Sequence, residues 1–332
     1  MSGQPLLGLP AAAAGGASFW LPEQASSIAA KVDANWSLVF WMSVFFFVLI
    51  TFLVIYFPIR YRRRSNDEQV QPSASHSTSL EIFWSVIPTI LVGVLFWKAY
   101  GTYLDMATPP QNAYEVQVMG QKWNWLFTYP NGYIDGNLHV PADRPVRLVM
   151  SSQDVIHSFY VPAFRIKRDV IPGRITSLWF EAIQTGEFDV FCAEYCGTSH
   201  SAMLAKLVVH PAGEFDAWLA EASDFLSRMS PAQAGELLYN QRGCKQCHSV
   251  DGSSGTAPSL LGKYASTEQL AAGGAVLVDE DYIRRSIYEP LADVVAGYEP
   301  VMPTYRGRLK EEEVNAIIAY LKTLAGDATR GN

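Results

Sequence analysis

The residues best suited to chemistry in this 332-residue chain are four cysteines in two tight pairs, Cys192/Cys196 and Cys244/Cys247. Such pairs in an exported protein are compatible with two disulfides, but histidine and methionine neighbours change the reading. The first pair lies in Cys192-Ala-Glu-Tyr-Cys196-Gly-Thr-Ser-His200-Ser-Ala-Met203. Thiolate, imidazole and thioether in one loop are the donors that soft copper prefers. Zinc competes for Cys and His in a closed tetrahedron, and Met203 shifts the reading to copper. A mononuclear blue site takes one thiolate, two histidines and a weak axial Met. Two thiolates make a second copper ion the economical explanation, with both sulfurs bridging the ions and one electron shared across them. A further histidine must come from elsewhere, and His157, at the end of an apolar strand, is a candidate.

The second pair reads Cys244-Lys-Gln-Cys247-His248. C-x-x-C-H is the attachment pattern of c-type haem: two thiols add to the vinyl groups and the adjacent imidazole binds iron. A redox or zinc C-x-x-C shares the bare pattern, so a second iron ligand discriminates. No histidine follows His248, and the one methionine that does is Met302, in the loop-like stretch Tyr298–Tyr305. His/Met ligation suits an electron carrier.

These residues need elements to hold them. Leu38–Phe57 is a charge-free apolar run of 20 residues, about 30 Å of helix and hence one bilayer core. Ile82–Trp97 is a second, shorter run, bounded by Glu81 and Lys98, but Lys98 can snorkel and Ala99–Leu104 can extend it; Pro88 interrupts it, which membrane helices tolerate. Arg60, Arg62, Arg63 and Arg64 lie between the runs, so the positive-inside rule puts this loop in the cytoplasm and both flanks outside. The Ser-rich loop Ser65–Ser79 reads as flexible. Leu6–Gly16 is small and apolar but lacks the preceding positive charge of a secretory signal. Glu81, at the cytoplasmic mouth of the second run, is a solvated boundary charge or a proton-uptake residue.

Beyond residue 105 the pattern changes. Tyr114–Met119, Trp123–Tyr129, Val146–Met150, Thr176–Phe180 and Met203–Val209 are short strand-like segments between Pro/Gly/Asn breakers, which argues for an all-β sandwich or barrel. Glu214–Met229 is amphipathic and predicts a connecting helix. Ser230-Pro231 then starts a helix leading to Cys244, and Glu311–Leu324 has the apolar spacing of a further helix. The expected layout is an outer segment over 1–36, a transmembrane hairpin over 37–105, a β domain over 106–210, a linker helix over 211–230 and an all-α haem domain over 231–332. A net charge of −7, with no Lys/Arg-rich stripe beyond the short run at residues 60–64, argues against nucleic acid as a partner.

Ser151–Pro162, Lys167–Arg174, Cys192–Met203, the hairpin and Leu80–Pro88 together resemble subunit II of haem–copper cytochrome c oxidases over roughly residues 36–220. The resemblance implies a cupredoxin fold with the binuclear centre called copper A. By position its ligands would be His157, Cys192, Cys196, His200, Met203 and the carbonyl of Glu194, whose carboxylate would reach a magnesium ion shared with subunit I. In the family the first Trp of a stretch similar to Gly120–Tyr129 receives the electron, which maps to Trp123; this chain departs from the pattern at Lys122 and Asn124. Residues 231–326 resemble class I cytochrome c, which implies that Pro258 orients His248 through its carbonyl. The combined chain is similar to oxidase subunit II proteins with a fused cytochrome c. It implies an electron relay in a bacterial cell membrane, from a quinol-oxidising complex or a soluble cytochrome or copper donor, through haem c and copper A, to subunit I with subunit III alongside. A nitric oxide reductase subunit is the alternative. A copper chaperone is a further rival, but a chaperone has no use for haem.

Overall fold

The structure, a computed structural model, describes residues 17–64 and 74–325. Residues 1–16, including Leu6–Gly16, the stretch 65–73 of the Ser-rich loop and the last residues 326–332 lie outside the described residues. The two apolar runs fall inside helices α1 (Ala29–Arg60) and α2 (Thr78–Ala107), of 32 and 30 residues. Both are long and apolar enough to cross a membrane, with mean hydropathy 2.8 and 1.9 over their most apolar stretches, none of which is buried by protein. Each extends beyond the predicted span. The added turns are polar and pair the helices, with Lys31 on Asp105 at 2.6 Å and Asn35 donating to Thr102 at 2.8 Å.

Ten strands follow: β1 (Tyr114–Gln121), β2 (Asn124–Thr128), β3 (Ile134–Asp135), β4 (Leu138–Pro141), β5 (Pro145–Ser152), β6 (His157–Val161), β7 (Ile166–Val170), β8 (Thr176–Glu181), β9 (Gly186–Cys192) and β10 (Leu204–His210). They form two five-stranded sheets, in the orders β3-β2-β1-β5-β8 and β4-β10-β9-β6-β7. The β1–β5 and β4–β10 pairs are parallel and the remaining pairs antiparallel. Alternate side chains point inward, as in β5, where Val146, Leu148 and Met150 are all fully buried. Aromatic rings lock the sheets face to face: Phe159 of β6 meets Trp125 and Phe127 of β2 edge-on, with centroids 5.7 and 6.3 Å apart.

The expected linker helix is two helices, α3 (Phe215–Ser223) and α4 (Phe225–Arg228), interrupted at Asp224. The haem-motif domain contains α5 (Pro231–Gln241), α6 (Glu280–Tyr288) and α7 (Glu311–Thr323). Ser230 and Gln233 close a reciprocal capping box on α5. The domain also holds a short hairpin, β11 (Thr267–Gln269) with β12 (Ala275–Leu277), in an otherwise helical fold.

The membrane hairpin is fixed to the β domain by a forked ion pair. Arg165, just after β6, donates Nε to Asp33 Oδ1 at 2.8 Å and Nη2 to Asp33 Oδ2 at 2.9 Å, and both side chains are largely buried. Arg165→Met leaves the Asp33 carboxylate without its cation, at a cost of about 3–5 kcal/mol. The expected outcome is a lower unfolding midpoint for the detergent-solubilised chain. An unchanged midpoint would show that the clamp contributes nothing.

Candidate metal centre and haem cleft

The strand register builds the first site. β6 pairs with β9 so that Phe159 faces Cys192, which puts His157, two residues back on β6, beside the end of β9. The loop after β9 folds back over this edge and returns as β10. Cys192 Sγ lies 3.9 Å from His157 Nδ1 and 3.8 Å from Cys196 Sγ. Cys196 Sγ in turn lies 3.5 Å from His200 Nδ1 and 3.8 Å from Met203 Sδ. The Glu194 carbonyl is 3.3 Å from Cys192 Sγ. His157, Cys192 and Cys196 are buried with their donor atoms within 4.8 Å of one another. All six groups expected from the sequence therefore meet in one place, with two sulfurs at the centre and nitrogen, thioether and carbonyl donors around them.

The two thiols do not ionise alike. Burial opposes a charge on Cys192, but hydrogen bonds led by that to His157 hold its thiol down at about 6. Burial and the neighbouring Cys192 charge push Cys196 up to about 12. The protein alone thus holds one negative charge easily and resists the second, so cations must enter to support a dithiolate. That donor set fits a soft metal pair.

Asp154 is a functional residue that the sequence reading missed. Its Oδ1 lies 2.9 Å from His157 Nε2 and its Oδ2 accepts from the Lys122 backbone N–H at 2.8 Å. A carboxylate on the outer ring nitrogen turns Nδ1 toward the sulfurs. Its position three residues before His157 is the signal that points to it.

Trp123 is buried, and its Nε1 donates to the Cys196 carbonyl at 3.2 Å. Glu194 is exposed at the tip of the loop, next to Tyr195. Glu81 lies in the first turn of α2, where its carboxylate accepts from the Ser77 N–H at 3.3 Å. That contact satisfies one N–H at the start of the helix.

In the second site Cys244, Cys247, His248, Pro258 and Met302 line one cleft with mostly apolar walls that include Ile283, Ile287 and Leu321. The His248 ring nitrogen Nδ1 bonds the Pro258 carbonyl at 2.8 Å, leaving Nε2 as the ligand atom. Burial lowers the affinity of His248 for a proton, against a smaller opposing effect of the Pro258 carbonyl, which favours the neutral, coordinating imidazole. A flat apolar group with two thioether links fits this cleft. The four cysteines are all free thiols, so the disulfide reading has no support among the described residues.

Comparison with known proteins gives the family of each part of the chain. Three family patterns match: "Cytochrome C oxidase subunit II, transmembrane domain" over residues 14–97, "Cytochrome C oxidase subunit II, periplasmic domain" over 132–210, and "Cytochrome c" over 232–325. Cytochrome c oxidase subunit 2 of Alkalihalophilus pseudofirmus is 32% identical over 85% of this chain and 85% of its own length. The corresponding protein of Synechocystis is 33% identical over 60% of this chain and 75% of its own. The crystal structure of the periplasmic domain of subunit II of cytochrome oxidase of Bradyrhizobium japonicum is 32% identical, covers 35% of this chain and 98% of that one, and has a TM-score of 0.34. The chain therefore belongs to the cytochrome c oxidase subunit II family, a component of an oxidoreductase complex, and carries a membrane hairpin, a copper-type β domain and a cytochrome c domain.

Proposed function

We propose that this chain is the electron-input subunit of a respiratory terminal oxidase. It takes electrons from an external donor, either a quinol-oxidising complex or a soluble cytochrome or copper protein. It passes them from haem c to binuclear copper A and on to the oxygen-reducing subunit I, with subunit III in the same complex. The observation that carries this reading is the contact path between the two sites. Trp123 donates to the Cys196 carbonyl at 3.2 Å, the next residue, Asn124, donates to the Arg242 carbonyl at 3.1 Å, and Arg242 is two residues before Cys244.

When bound, the two cofactors supply one-electron chemistry without proton transfer to substrate. The residues hold and dry them. His157, Cys192, Cys196, His200, Met203 and the Glu194 carbonyl are assigned to copper. Asp154 orients His157. Cys244 and Cys247 are assigned to covalent haem attachment, His248 and Met302 to its iron, and Pro258 to orienting His248. The exposed Glu194 carboxylate is assigned to a magnesium ion at the subunit I boundary, and Glu81 to proton uptake. The working domain boundaries are 37–105 for the hairpin, 106–210 for the copper domain, 211–230 for the linker and 231–332 for the haem domain. The membrane is the bacterial inner membrane, with both redox domains on the periplasmic side.

Electron paramagnetic resonance of the oxidised chain tests the copper assignment. Wild type should show one unpaired electron shared by two coppers, and Cys196→Ser should lose that mixed-valence signature. An isolated copper signal or bound zinc in wild type would sink the assignment. For the haem, Met302→Ala should retain the covalent group because Cys244 and Cys247 are intact. Its potential should fall by on the order of 0.1 V, within the roughly 0.8 V range that axial ligands set. Survival of the iron–sulfur charge-transfer band in this variant would assign the ligand elsewhere. For topology, Ser75→Cys should react with an impermeant thiol reagent only after cells are permeabilised. Labelling in intact cells would invert the arrangement.

A further inference from the structure

The junction between the two redox domains is built from close backbone approaches. At one edge, the strand pair β2–β3 of the copper domain meets the end of α5. A Cβ added at Gly136 would lie 2.4 Å from the Gln241 carbonyl oxygen, so the haem-domain backbone occupies the space of a side chain. At the other edge the relation is reversed: a Cβ added at Gly243 would lie 2.2 Å from Asn124 Nδ2. Each domain therefore supplies a glycine against which the other seats.

Hydrogen bonds close the same seam. Gln241 Nε2 donates to Tyr133 Oη at 3.1 Å and to Asp135 Oδ2 at 3.0 Å. Arg242 is the hub. Its guanidinium reaches the Ile134 carbonyl of the copper domain and pairs with Glu313 of α7 at 2.6 Å, with only 3% and 7% of the two side chains exposed. Its own carbonyl accepts from Asn124 at 3.1 Å and from Tyr305 Oη at 2.7 Å. Across the cleft mouth, Arg308 bonds Gln121 and Gln153. Lys122 and Asn124 line the haem cleft from the copper-domain side.

We propose that the Gly136/Gln241 and Gly243/Asn124 contacts, held by Arg242, form a docked seam that fixes the haem cleft over the Trp123 edge of the copper loop, and that these are the positioning residues of intramolecular electron transfer. This inference rests on the relay reading above. The step moves one electron from the reduced haem iron to the oxidised copper pair, with no bond made or broken.

Gly136 isolates the effect. Its φ lies outside the left-handed range, so a side chain there is opposed by the facing domain and not by its own backbone. The full-length chain, loaded with haem and copper in detergent, is compared as wild type, Gly136→Leu and Gln241→Ala, the last removing hydrogen bonds without adding bulk. After flash photoreduction of the haem, wild type should show transfer to copper at a rate unaffected by dilution. Both variants should be slower, Gly136→Leu by several-fold or more, with the copper resonance and haem spectrum of wild type. Amide hydrogen exchange over 133–136 should be slow in wild type and faster in both variants. Equal transfer rates in all three proteins would overturn the positioning role while leaving the relay intact. A wild-type rate that falls in proportion to dilution would overturn the relay and this role with it. Fast exchange over 133–136 in wild type, equal to that in the variants, would overturn the docked seam whatever the kinetics.

Discussion

The structure depends on one constraint: two thiols that resist ionising together must be held buried and close. Cys192 ends a strand and Cys196 sits in the following loop, with 3.8 Å between their sulfurs. No strand could present both, because alternate side chains face opposite sides and consecutive same-side positions lie about 7 Å apart. The loop after β9 must therefore fold back over the sheet edge, and β6 must pair at the register that brings His157 alongside. Phe159, on the same strand, anchors that register by packing against Trp125 and Phe127 of the opposite sheet. A one-residue slip would turn Phe159 out of the core and His157 away from the sulfurs.

Around this centre, polar groups are used to orient. Asp154 holds the outer nitrogen of His157, and Pro258 does the same for His248. Arg165 and Asp33 tie the β domain to the membrane hairpin, and Arg242 and Glu313 tie α5 to α7 beside the haem motif. In both of these pairs the largely buried charges meet an opposite charge, as burial requires. Breaking one partner is costly even where the intact pair adds little stability.

Much of the site was legible because its chemistry is local in sequence. Cys192, Cys196, His200 and Met203 fall within one loop, and Cys244, Cys247 and His248 are nearly contiguous. The membrane runs were legible from length and apolarity, although the polar contacts that pair their outer ends were not. Strand β7 was hidden because its centre is Lys167-Arg168-Asp169, exposed on the sheet surface between buried Ile166 and Val170. Strand β9 is also absent from the expected strands, although Phe188, Val190 and Cys192 alternate inward along it. The break at Asp224 splits an amphipathic stretch whose apolar spacing predicts one helix. Arg242, Gly136 and Gly243 gave no sign of their roles, because those roles exist only where two domains meet.

The proposed relay requires that one chain carry both a copper pair and a haem as separate one-electron carriers. Coulometric titration of the purified full-length chain, with metal analysis on the same sample, tests this most directly. The expected result is two coppers and one iron per chain, and two electrons taken up, one recorded in the haem bands and one in the absorption of the copper pair. A single electron per chain, one copper, or zinc in place of copper would contradict it.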